Sequence, residues 1–305
     1  MFAVDRFFYS IAALGKLHPL SRPERHDLET VRDVAYGDAP VQKLDVWRPK
    51  NAATRPPAIL YVHGGGFRIL SKDTHWIMAL MFARAGYVVF NVDYGLAPKH
   101  PFPEGLRDVT RAYVWLCDHA GEYGADASKI VLAGESAGGN LATSLAITAC
   151  FRRDEDFARA VFDRGVVPSA VLPACGLLQV TNADRFPKKW PHVSRAAHDQ
   201  IAVIEREYLR GDLPERARDL ADPLVLLERD EPSARPLPPF FVACGTRDPL
   251  LDDARRLHAA LRKRGVDSEL RLYPGELHAF HAAIVTPNAR RFWRDTYAFL
   301  ASRLA

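Results

Sequence analysis

From Pro57 onward the chain is punctuated by short, solidly apolar runs separated by stretches of helical spacing. The runs are Ala58–Val62, Tyr87–Val92, Lys129–Ala133, Ala170–Leu172 (broken by Pro173), Phe240–Cys244 and Glu269–Tyr273. A strand that is apolar at almost every position has no solvent face. The pattern therefore predicts a mainly parallel sheet with helices on both sides. Helices are expected at Ile77–Ala85, Gly105–His119, Asn140–Phe151, Leu251–Lys263 and Ala289–Arg303. Ahead of this region, Leu28–Tyr36 and Gln42–Trp47 alternate with period two around Gly37-Asp38-Ala39-Pro40, which reads as an antiparallel hairpin at a sheet edge.

One stretch breaks the alternation. Residues 181 to about 222 are polar and Pro-containing, with one helical segment from Ser194 to Arg210 that carries Ile201, Ile204 and Leu209. That is too long for a connector between strands and is expected to form a lid or cap. The N-terminal apolar stretch from Phe7 to Leu17 is bracketed by Asp5, Arg6, Lys16 and His18 and lacks a small-residue cleavage site. Val4, Phe7, Phe8, Ile11 and Leu14 recur at helical spacing, so an amphipathic helix is expected rather than a signal peptide or membrane span.

Composition narrows the partners. A net charge of +4 on 305 residues, with the basic residues scattered, gives no nucleic-acid-binding surface. Cys117, Cys150, Cys175 and Cys244 have no C-x-x-C pairing and sit among apolar neighbours. They read as free thiols in a reducing compartment, which makes the cytoplasm the expected location and leaves no disulfide framework or zinc site.

The chemistry concentrates where apolar runs end. Gly134-Glu135-Ser136-Ala137-Gly138 follows one run and opens a helix, a strand–turn–helix context that pushes the Ser136 hydroxyl out of the sheet edge. His63-Gly64-Gly65-Gly66-Phe67 follows another, and its glycines let backbone N–H groups approach a bound atom. His63 is expected to brace this loop rather than act as a base. Asp248 follows the run Phe240–Cys244 and is the candidate acid; its rivals Asp252 and Asp253 are assigned to the first turn of the next helix. His278 follows the last run and is taken as the base, with His281 as its rival. The order Ser136, Asp248, His278 is that of a hydrolase triad on an α/β sheet.

These motifs together, with Asp93-Tyr94-Gly95-Leu96-Ala97-Pro98, Asp248-Pro249-Leu250 and His278-Ala279-Phe280, resemble the hormone-sensitive-lipase-like esterases over roughly residues 40 to 300. Gly95, Lys99, Glu135 and Ala279 stand where that family usually has Arg, Glu, Asp and Gly. The resemblance implies an α/β-hydrolase fold with a mostly parallel eight-stranded sheet flanked by helices, as one domain over 1–305. Its helical cap would come from residues 1 to about 40 and 181–222. It implies Ser136 as nucleophile, His278 as general base, Asp248 as its orienting acid, and an oxyanion hole of the Gly64, Gly65 and Ala137 N–H groups. Phe67 is expected to line an acyl pocket with aromatic residues of the N-terminal helix.

The expected reaction is hydrolysis of a small carboxylic ester with a short to medium acyl chain, through an acyl-enzyme, with no cofactor and no metal. Alternatives are an amidase or deacetylase on the same triad, a non-catalytic ligand-binding member of the fold, and a metal hydrolase built on His278, His281 and Asp248. The last strand of such a sheet leaves a homodimer open.

Overall fold

The computed structural model describes residues 2–186, 195–211 and 215–304. Eight strands form one sheet: β1 (Leu28–Ala35), β2 (Lys43–Pro49), β3 (Pro57–Val62), β4 (Val88–Val92), β5 (Asp126–Glu135), β6 (Ala170–Ala174), β7 (Phe240–Gly245) and β8 (Ser268–Tyr273). Their order is β1-β2-β4-β3-β5-β6-β7-β8. The β1–β2 and β2–β4 pairs are antiparallel and the other five are parallel. The antiparallel pairs come from the expected hairpin. The two edge strands, β1 and β8, show solvent along much of their length, while β4, β6 and β7 are buried at every position.

Pro173 does not end β6 as expected; the strand runs on to Ala174 and stays in register with β5 through Glu135↔Ala174. The Val171 and Cys175 N–H groups both donate toward β7, to Pro239 O and Ala243 O. Pro173 lies midway between them. Its missing N–H therefore costs one bond on the β7 side alone, and the β5 side is intact.

The helices are α1 (Phe2–Leu17), α2 (Trp76–Arg84), α3 (Glu104–His119), α4 (Ala137–Cys150), α5 (Asp156–Arg164), α6 (Arg195–Tyr208), α7 (Glu215–Arg218), α8 (Pro223–Glu228), α9 (Leu251–Lys263) and α10 (Pro287–Leu304). None is long and apolar enough to cross a membrane. Helix α4 starts directly after Ser136, three residues earlier than its apolar spacing suggests, and every one of its residues is buried. Its small residues bring it close to the sheet. A Cβ on Gly138 would lie 2.0 Å from Val62 O, and one on Gly134 would lie 2.5 Å from Gly138 O. Its polar residues tie down the segments beside it: the Asn140 side-chain amide donates to Leu177 O and Ala221 O, and the Ser144 hydroxyl donates to Leu220 O.

Of the two stretches expected to form a cap, the first is only partly outside the sheet, because Leu28–Ala35 is β1. Helix α1 lies along residues 69–76. Leu70 N donates to the Asp5 carboxylate, Tyr9 Oη to Ser71 Oγ, and Trp76 Nε1 to Ala12 O. The side chains of Val4, Phe7, Phe8 and Ile11 lie outside the described residues, and Leu14 is exposed. In the second stretch, Ile201, Ile204 and Leu209 pack on the core as their spacing predicts.

Candidate active site

The turn that carries Ser136, the candidate nucleophile, is built by strain. Ser136 sits at φ 52° and ψ −118°, a conformation that L-residues rarely adopt, held between β5 and α4. Three bonds maintain it: Ser136 N donates to Ala174 O, and its carbonyl accepts from Leu177 N and Asn140 N. The residue is half-buried, at the C-terminal ends of β5 and β6, where parallel sheets of this kind place their chemistry.

The loops that follow β3, β7 and β8 converge on the same side. Asp248 is fully buried; its Oδ1 accepts from Leu250 N at 2.8 Å, and its Oδ2 lies 2.9 Å from His278 Nδ1. That contact occupies Nδ1, so a further partner of the ring can meet only Nε2. The His278 side chain is 37% exposed on its outer side. Its pKa stands well above 6.5: burial works against the imidazolium, and the neighbouring Cys175 and Asp248 outweigh it. Burial keeps the Cys175 thiol protonated by raising its own pKa, so the attraction to a charged imidazole comes from Asp248.

Cys175 was read from the sequence only as a buried free thiol. Its Sγ, an Asp248 oxygen and a His278 nitrogen all lie within 4.8 Å of one another, which makes it part of the wall beneath the imidazole. Its place, one residue past the end of β6, was the signal that sequence reasoning passed over.

In the loop after β3, Gly65 (φ +113°) and Gly66 (φ +58°) curl the backbone. A Cβ on Gly65 would meet Ile69 O at 2.1 Å, so the turn requires glycine. Among the described residues, none accepts a hydrogen bond from the N–H of Gly64, Gly65 or Ala137. His63 braces this loop, as expected: its Nδ1 donates to Gly64 O at 2.7 Å, its ring stacks on Tyr94 at 4.4 Å, and Tyr94 Oη donates to His63 O. Burial, with His75 nearby, lowers the His63 pKa to about 3, so the ring is neutral and its Nδ1 carries the proton.

Phe67 is 1% exposed and stacks face to face on Tyr208 at 3.8 Å, with Phe102 N donating to Tyr208 O. It has no open face; it docks α6 onto the loop after β3. Ile204 from the same helix fills the space over Gly66, where a Cβ would come within 2.7 Å of Ile204 Cδ1.

Two of the three sequence rivals, His281 and Asp253, have other duties. His281 is buried, with its Nε2 2.8 Å from Glu135 Oε2, and it is outside the Cys175–Asp248–His278 cluster. Asp253 is more than a helix-turn acid. It is fully buried, accepts from Leu178 N and Gln179 N, and pairs with Arg185 at 2.9 Å, fastening the segment that leads into the cap.

The chain is similar to known esterases. Residues 59–282 match the family model for the alpha/beta hydrolase fold. An acetyl esterase of Salmonella paratyphi A is 32% identical over 248 residues, covering 80% of this chain and 70% of its own. A hyperthermophilic esterase from the archaeon Pyrobaculum calidifontis aligns at 28% identity with a TM-score of 0.76, over 98% of this chain and 92% of that one. An esterase of the bacterial hormone-sensitive lipase family gives the same identity and TM-score over 99% of this chain and 91% of its own. With these likenesses running along the sheet and its loops, the chain belongs to the α/β-hydrolase fold family and is a carboxylic ester hydrolase of its hormone-sensitive-lipase-like branch.

Proposed function

We propose that this esterase works through an acyl-enzyme on Ser136 and prefers short to medium acyl chains. The observation that carries the reading is the 2.9 Å His278–Asp248 pair, formed by the loops after β7 and β8 on the edge of the parallel sheet where the strained Ser136 turn ends β5. As the hydroxyl attacks the ester carbonyl, His278 Nε2 takes its proton. Asp248 holds the ring in the Nδ1–H tautomer and stabilises the imidazolium. The N–H groups of Gly64, Gly65 and Ala137 bind the oxygen as it becomes negative, each contributing a factor of roughly 10²–10³ in rate. The imidazolium then protonates the leaving alcohol. Water repeats the sequence to release the acid.

The chain-length preference rests on space. Ile204 and the Phe67–Tyr208 stack occupy the volume beside Gly66 that a long acyl chain needs. The acetyl esterase relative points the same way. The four free cysteines favour the cytoplasm, and β8, at the sheet edge, offers a ladder side on which a second copy could pair.

A p-nitrophenyl ester series from acetate to dodecanoate tests the proposal, run with Ser136→Ala. The expected result is falling kcat/KM beyond medium chain lengths, loss of turnover in the variant, and fluorophosphonate labelling of Ser136 in the wild type. Wild-type turnover by Ser136→Ala would sink the assignment.

A further inference from the structure

The carboxylate next to the nucleophile is the most heavily bracketed charge in the site. Glu135 ends β5, is 7% exposed, and has an imidazole at each oxygen: His75 Nε2 at 2.9 Å from Oε1 and His281 Nε2 at 2.8 Å from Oε2. All three side chains are buried. Each comes from a different part of the catalytic machinery. Glu135 precedes Ser136 directly. His281 lies three residues past His278, on the 3₁₀ turn Phe280–Ala282. His75 precedes α2 and is anchored by Thr74 Oγ1 and Ser71 O. The Glu135 side chain also floors the oxyanion loop, because a Cβ on Gly64 would meet Glu135 Cγ and Oε1 at 3.2 Å.

We propose that His281 and Glu135 are positioning residues for ester hydrolysis: their contact locks the loop carrying His278 to the turn carrying Ser136 and to the floor of the oxyanion loop. The inference rests on the Ser136–His278 reading above. An ionised carboxylate in a buried site must be paired to persist, and here both partners come from segments whose spacing sets the reaction geometry. The contact also stiffens a loop with a weak point of its own. Ala279, between His278 and the 3₁₀ turn, adopts φ 55°, the left-handed region that favours glycine. Packing holds the other face of the His281 ring, which lies 4.7 Å from the Phe292 ring. The His281–Glu135 contact is a close approach rather than an aligned hydrogen bond: Glu135 Oε2, like the Nδ1 of His281 and the hydroxyl of Tyr61, has no hydrogen-bond partner among the described residues, and His281 and Tyr61 line one small cavity of about 20 Å³. That is room for one water.

The test uses the whole chain and p-nitrophenyl acetate. His281→Phe keeps a ring against Phe292 and removes the nitrogen that meets Glu135. His281→Gln restores a donor, and Glu135→Gln removes the charge at constant shape. His281→Phe and Glu135→Gln are each expected to lower kcat about tenfold or more, since small misplacements of reacting groups are costly, with KM within about twofold. His281→Gln should recover about a third or more of wild-type kcat. The double variant should be no slower than the slower single, because the two residues act as one unit.

A folded His281→Phe or Glu135→Gln with wild-type kcat overturns the proposal. So do losses that multiply in the double variant, and so does His281→Gln performing no better than His281→Phe. Failure of both single variants to fold assigns the cluster to stability alone and overturns it equally. Absence of ester turnover by the wild type would count instead against the Ser136 reading.

Discussion

Gly138→Ala probes how tightly the nucleophile helix is clamped to the oxyanion loop. A methyl group there would sit 2.0 Å from Val62 O and 2.7 Å from both Val62 C and His63 O. All three are backbone atoms at the end of a central strand, so no side chain can swing aside. Restoring an ordinary contact of about 3.2 Å requires α4 and the His63 loop to part by about 1 Å, in a region packed to crystal-like density. Overpacking of this kind costs about 1–3 kcal/mol, and the rigid backbone neighbours put this site at the upper end. In a chain of this length that lowers Tm by roughly 5 °C.

The same displacement acts on the chemistry. His63 O lies just before Gly64, and Ala137 is one residue before Gly138, so the oxyanion donors move apart. A misplacement of about 1 Å lowers kcat about 100-fold. Thermal unfolding and p-nitrophenyl acetate kinetics, normalised to fluorophosphonate-titrated sites, measure both effects. Gly139→Ala is the control, since its nearest contact would be 3.2 Å, to Gly176 Cα. Gly138→Ala with Tm within 2 °C and kcat within threefold of wild type would refute the steric argument.

Other consequences follow from the same geometry. Asp248→Asn leaves the shape intact but loses the charge that orients His278, and kcat is expected to fall by roughly 10³–10⁴, read in the same ester assay. Because the His278 pKa is raised, the neutral base appears only as pH climbs, so the acid limb of kcat/KM is expected above pH 6.5. Asp248→Asn should shift that limb to lower pH, and a pH–rate profile of the residual activity checks the direction. Asp253→Ala strands the buried Arg185 guanidinium and removes the acceptor for Leu178 N and Gln179 N; a loss of about 3–5 kcal/mol in denaturant unfolding is expected.

Much of the architecture was legible because burial on both faces writes itself into composition. Strands without a polar side appear as unbroken apolar runs, and α9 begins and ends at the expected Leu251 and Lys263. Helix α5 and the short α8 were not anticipated. The first follows the polar segment Arg152–Glu155, and the second begins directly after the stretch expected to form the cap. Helix α4 lacks a polar face, so its start is set by the turn at Ser136 rather than by any periodicity.

Residue order along the chain determined which strand ends carry the candidate serine, acid and base, because a loop after a parallel strand opens on one side of the sheet. Order and closeness to the strand end favoured His278 over His281, but the two share one short segment and pattern could not show what each ring meets. The folded loop shows it, turning Nδ1 of the first toward Asp248 and Nε2 of the second toward Glu135. Nor could it show that Asp253 grips Arg185, that Phe67 is sealed under Tyr208, or that Cys175 lies beside the imidazole. Local pattern reports what a residue's own segment buries. Partners drawn from segments 68 residues apart, as Arg185 and Asp253 are, or 146 apart, as Glu135 and His281 are, exist only once the sheet has brought those segments together.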